Sequence, residues 1–336
     1  MKEKKKWLEL YDLAKEIQKV EPWNYFLDRD ILTYVQPESG EMIYYCIMEN
    51  AGLHKAIGVI TEDHIDSFMK TFENDYPPYI FLNYQECILC QYLEREHTLP
   101  KNREIIKELD LKFRGEWISF ENFERGYEPS PIVDEQLEFM IEALKNFIIL
   151  FKDIKENNIQ ADFKRGNTIT RLYDENAKTW MTVVAPLIIT KIDYESVTIQ
   201  EPEFEEEIKK LQKTNMELEY EFMNYIPFHV EDLKEDGRYY YPRMQLMAER
   251  KSGMILYQNM INKKEYDNEE LYIEMCIQKF LEMLEKLGRP KVLYVRDVQT
   301  KTILQDICKK AEITIKINAH LKAIDEMYSQ MMQDLG

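Results

Sequence analysis

Residues 288–297 read Gly288-Arg-Pro-Lys-Val-Leu-Tyr-Val-Arg-Asp297. A glycine that can cap a helix, a proline that leads out of it, an apolar run and a closing Arg-Asp pair punctuate a helix-strand-helix sequence. Outward from that stretch, 268–287 is amphipathic at helical spacing, and so is 298–310. A short strand over 313–317 and a helix over 320–332 follow. Apolar strands alternating with helices imply right-handed crossovers and parallel pairing. On the other side, 216–228, 239–248 and 254–261 read as three strands. Turn-prone Glu235-Asp-Gly237 and Lys251-Ser-Gly253 separate them.

The first half has a different rhythm. Residues 7–20 form an amphipathic helix, with Leu8, Tyr11, Leu13, Ala14, Ile17 and Val20 at helical spacing. Ile31–Gln36 and Met42–Met48 are a hairpin turned by Pro37-Glu-Ser-Gly40. Residues 55–60 add a strand, and Thr61 can cap a helix reaching Asn74. Pro77-Pro78 stops that helix, and 79–83 and 87–93 read as extended. A short helix over 101–110 and a strand over 117–123 follow. Pro131 suits the first position of a long helix reaching Lys155. Two strands, 168–173 and 179–184, and an acidic helix over 201–213 come next. The expectation is an α+β protein: an N-terminal mixed α/β domain over 1–160, then a C-terminal three-layer domain with a mixed sheet over 161–336.

The chain has 336 residues, with 44 Lys and Arg against 62 Asp and Glu, a net charge of −18. The last 98 residues hold 15 basic and 14 acidic side chains, whereas the first 238 hold 29 and 48. Repulsion therefore disfavours contact between the N-terminal part and nucleic acid or anionic lipid, while a local contact by the C-terminal part stays open. The most apolar run, Phe147-Ile-Ile-Leu-Phe151, is far too short to cross a bilayer. Five cysteines, an odd and sparse set, suit reduced buried thiols in the cytoplasm. Cys87 and Cys90 lie three apart on an expected strand and so face opposite sides, which opposes a metal clip.

No GxGxxG, GxxxxGK[ST], GxSxG or HExxH run occurs, so phosphate loops, nucleophile elbows and zinc-protease helices lack local support. Aromatics are plentiful, as in Tyr239-Tyr-Tyr241, and can serve packing, stacking or a partner.

Three consecutive strands followed by helix, strand, helix, strand and helix resemble the ribonuclease H-like fold over 216–334. That resemblance implies two-metal phosphodiester hydrolysis, in which carboxylates converge on paired Mg²⁺ or Mn²⁺ ions. Glu217, Glu219 and Glu221 share one face of the first strand, Asp297 closes the fourth, and Asp325-Glu326 lie on the last helix. Glu219, Asp297 and Asp325 form the candidate metal set. The opposing reading of the same residues is structural: Asp297 can cap a helix, the three glutamates can form a wet strand face, and Arg296 can pair with a carboxylate. Glutamate on the first strand also departs from the aspartate that such enzymes favour.

Pro22-Trp23, Pro37-Glu-Ser-Gly-Glu41 with Tyr44-Tyr-Cys-Ile-Met48, Tyr241-Pro-Arg-Met244, the 288–297 stretch and Ala323-Ile-Asp-Glu326 resemble an uncharacterised two-domain family of Gram-positive bacteria. The expected function is binding or regulation in the cytoplasm, with no catalytic centre, no cofactor and an unknown protein partner. The alternatives are a divalent-metal nuclease and an acidic decoy for a basic nucleic-acid-binding protein.

Overall fold

The computed structural model describes the chain apart from residues 1, 50–54, 74–75, 193, 199–201, 228–232, 236 and 336. The expected element parts at Asn74, Glu201, Phe228 and Asp236 lie outside the described residues. In chain order the first elements are α1 (Lys2–Val20), β1 (Leu32–Val35), β2 (Met42–Met48), β3 (Lys55–Thr61), α2 (Ile65–Glu73), α3 (Pro78–Phe81), β4 (Cys87–Leu93) and α4 (Pro100–Glu108). They are followed by β5 (Trp117–Phe123), β6 (Ser130–Pro131), α5 (Asp134–Asn157), β7 (Asn167–Asp174) and β8 (Thr179–Pro186). The remainder is α6 (Pro202–Lys210), β9 (Glu217–Glu221), β10 (Lys234–Glu235), β11 (Arg238–Tyr239), β12 (Arg243–Glu249) and β13 (Ile255–Ile261). Then come α7 (Glu269–Leu287), β14 (Val292–Val295), α8 (Val298–Lys310), β15 (Thr314–Ile317) and α9 (Lys322–Leu335).

The first compact unit comprises 1–72, 85–124 and 129–191. Its sheet runs β6-β5-β4-β3-β2-β1-β7-β8, antiparallel except where β7 joins β1 in parallel. Alternation along β4 puts Cys90 into the core shared with α1 and α5 and Cys87 into the opposite core with α2, as their spacing requires. All five cysteines are buried and free. Burial pushes the Cys90 thiol up to about 12. Pro131 does not open the long helix: it pairs with Glu121 in β6, and α5 starts three residues later.

The second unit comprises 73–84, 125–128 and 192–336. This corrects the division expected at 160. Residues 167–186 are β7 and β8 of the first sheet, because Thr33 and Tyr34 take Thr170 and Arg171 as ladder partners. Of residues 79–83, expected to be extended, 79–81 belong to helix α3, with Pro78 at its first position, and 82–83 form the turn after it.

In the second unit the sheet order is β13-β12-β9-β14-β15, antiparallel through the first three strands and parallel through the last three. One face packs on α7 and α8 through Tyr220, Phe280, Leu293 and Leu304. The other packs on α9 through Leu246, Ile324 and Tyr328, giving three layers. The short β10–β11 hairpin stands outside this sheet. Gly288 ends α7 at φ 82° and ψ 179°, and a Cβ there would meet the Gln212 carbonyl oxygen at 2.5 Å, so only glycine fits.

Candidate functional site

The α9 face of the second sheet carries the charged groups that the sequence singled out. Alternation along β9 sends Glu219 and Glu221 to this side, yet neither is wet: they are 0% and 2% exposed. Glu219 accepts from the backbone amides of Ala323 at 2.8 Å and Ile324 at 3.3 Å through Oε2. Its Oε1 accepts from Arg250 at 2.7 Å. A carboxylate there satisfies first-turn amides of α9 and meets the positive end of its dipole.

Asp297 follows β14 and caps α8. Its Oδ1 accepts from the Thr300 amide at 2.7 Å and its Oδ2 from the Thr300 hydroxyl at 3.3 Å. Asp325 sits in the first turn of α9. Its Oδ1 accepts from the Tyr79 hydroxyl at 2.6 Å and from Arg296 at 2.7 Å, and its Oδ2 lies 3.5 Å from His320 Nδ1.

Arg296 is the hub. Its side chain is fully buried, with Nε donating to Glu221 at 2.5 Å, Nη1 to the Ala319 carbonyl at 2.6 Å and Nη2 to Asp325 and Tyr79. Tyr328 donates to the other Glu221 oxygen at 3.4 Å. Burial holds the Glu221 and Glu219 carboxyls above the usual carboxylate range, opposed by Arg296 at Glu221 and by backbone amides and Arg250 at Glu219. Burial likewise raises the Tyr79 hydroxyl, and the Glu221 charge adds to it.

The three candidate ligands therefore spend five of their six carboxylate oxygens on hydrogen bonds within the protein, and the sixth, Asp325 Oδ2, lies against His320. A two-metal centre instead needs oxygens shared between ions about 3.5–4 Å apart. Asp297 serves a different helix from Glu219 and Asp325, and a guanidinium lies between Glu221 and Asp325. The residues present do not fit a divalent pair. Among the described residues, no group of three or more His, Cys, Asp or Glu side chains could hold a metal ion. Glu269, Glu270 and Glu274 on α7 are exposed, and α7 packs on the opposite sheet face.

Sequence reading anticipated an Arg296–carboxylate pair and the Asp297 cap. It missed Tyr79, Arg250 and the Ala319 carbonyl, which come from distant segments and carry no local signature.

Glu219 yields a pH prediction. Its raised folded value means that the folded form binds the proton more tightly than the unfolded form, whose value is near 4.5. That contribution to stability is complete below the unfolded value and is lost as pH rises through the folded one. Glu219→Gln, which keeps an oxygen for the α9 amides, should flatten this part of a pH series of urea melts. An unchanged slope would show that Glu219 titrates alike in both states.

Residues 7–171 match the model of the Domain of unknown function (DUF7309), and residues 206–332 match that of the Domain of unknown function (DUF6930). Both halves thus match families of unknown function. Together the two matches fit an uncharacterised two-domain protein. No curated protein matches the chain. Among solved structures, a chain of the "Crystal structure of the Mos1 Strand Transfer Complex" is similar at 8% identity, over 61% of this chain and 74% of that one, with a TM-score of 0.25. Among the described residues, no helix is long and apolar enough to cross a membrane.

Proposed function

We propose that the chain acts by binding or regulation without catalysis, and that its second unit is a ribonuclease H-like domain whose carboxylates have become structural. The observation that carries this reading is Arg296, a buried cation joined to Glu221 and Asp325 where hydrolysis would call for Mg²⁺ or Mn²⁺. A fixed guanidinium occupies both carboxylates as their hydrogen-bond donor, and its charge repels a divalent ion. Free, buried cysteines support a reducing compartment, the cytoplasm.

Titration of the full chain with Mn²⁺, followed by the electron paramagnetic resonance of the free ion, tests the site directly. The expected isotherm shows only weak surface binding that Asp297→Asn and Asp325→Asn leave unchanged. A stoichiometric site lost in both variants would overturn the reading.

A further inference from the structure

The first unit holds a concavity of about 470 Å³ whose walls are Arg95, Arg103, Lys107, Trp117, Ile106 and Leu111. Its construction is local. Helix α4 sets Arg103 and Lys107 four residues apart on one face. Asp110, at φ 56°, turns the chain so that the Leu111 amide returns to the Ile106 carbonyl. Trp117 opens β5 beside this turn, and Arg95, just after β4, lies 5.5 Å from the indole centroid.

Two features set this concavity apart in an acidic chain. None of its three cations closes an ion pair among the described residues. Lys107 in the last turn suits the helix dipole, but like charges at i and i+4 repel each other along α4. A bound anion reverses that sign. The second feature is the half-buried indole with an apolar floor, a surface for a flat ring. The volume lies in the range of small-molecule sites, and a bare phosphate would leave most of it unfilled. Glu104 and Asp110 add carboxylate acceptors on the lining, suited to hydroxyl groups and hostile to a polyanion.

We propose that this concavity binds a mononucleotide-like ligand, a flat ring and hydroxyl groups joined to a single phosphate, with Arg103 and Lys107 on the phosphate and the ring against Trp117 and Arg95. The inference goes beyond the binding role proposed above by naming a site and a ligand class, and it does not depend on the carboxylates of the second unit.

Calorimetric titration of the full chain with adenosine monophosphate, adenosine and inorganic phosphate tests it. The monophosphate should bind, and adenosine and phosphate should each bind at least roughly tenfold more weakly. The double variant R103A/K107A, which truncates one half-buried and one exposed side chain of α4, should keep the protein folded and weaken the monophosphate at least roughly tenfold. Trp117→Leu should weaken the monophosphate and leave any phosphate binding unchanged. No binding at millimolar monophosphate, equal affinity in the double variant, or phosphate binding as tight as the nucleotide would each overturn the proposal. None of these failures would touch the Mn²⁺ result, which tests the other unit.

Discussion

Arg296→Met should destabilise the second unit by about 3–5 kcal/mol, because it leaves the buried Glu221 and the half-buried Asp325 without their cation. The size follows from an asymmetry. Arg296 and Glu221 are both fully buried, so their attraction is set against a large desolvation cost and the intact pair adds little net stability. Removing one partner leaves the cost and deletes the compensation. The Ala319 carbonyl also loses its donor, at roughly 1–3 kcal/mol if it stays dry. Thermal melts of the full chain should show one transition lowered by roughly 10 °C while the other stays. The triple variant Arg296→Met, Glu221→Gln, Asp325→Asn should recover much of the loss, since neutral amides need no counter-charge. A single variant as stable as the parent would mean that the network is wet and its carboxylates are available to other partners.

The second large effect concerns where the second unit begins. A fragment starting at residue 192 should fail to unfold cooperatively, although it contains all five strands of its sheet. It lacks α3 with the residues just after it, and also 125–128, whose Gly126 carbonyl accepts from the Tyr241 amide at 2.8 Å. In the full chain the Asn83 amide donates to the Tyr225 carbonyl at 3.0 Å and accepts from the Tyr225 amide at 2.7 Å. The Tyr79 hydroxyl reaches Asp325, and its ring lies 4.8 Å from that of Tyr328. Ile80 is fully buried. Excision strands the Tyr225 amide and carbonyl, each at roughly 1–3 kcal/mol, and takes the Tyr79 donor from Asp325, which keeps Arg296. Against a total stability of about 5–15 kcal/mol, that loss and the lost burial of Ile80 take a large part of the margin. Adding 73–84 and 125–128 back as synthetic peptides should restore a cooperative transition. A fragment that melts sharply without them would show that both segments are dispensable to the fold.

Local pattern and long-range pairing differ sharply in how far the sequence revealed them. Helix α8 was legible to the residue, because Asp297 supplies a cap and the apolar face repeats without interruption. Strands β2, β4 and β5 were equally plain, each an unbroken run bounded by turn residues. The shared face of Glu219 and Glu221 followed from a period of two. Their burial did not, because a helix more than a hundred residues later covers them. The parallel pairing of β1 with β7, which moved the boundary to about 191, joins Thr33 to Thr170 and leaves no mark within either segment. Tyr79 followed the same logic. Its proline neighbours announced a break, and only the packed structure shows that the break delivers a hydroxyl to Asp325. The site was thus readable as a list of charged residues and unreadable as a set of pairs. The pairs decide the chemistry, since a carboxylate free for a metal and one spent on an arginine have the same sequence.

The most direct measurement of the central claim is release of labelled nucleotides from single- and double-stranded DNA, RNA and an RNA–DNA hybrid by the purified full chain. With Mn²⁺ or Mg²⁺ present, release should match that in EDTA on every substrate. Metal-dependent cleavage that disappears in Asp297→Asn would contradict the account, because it would require Asp297 to leave its helix cap and carry the reaction.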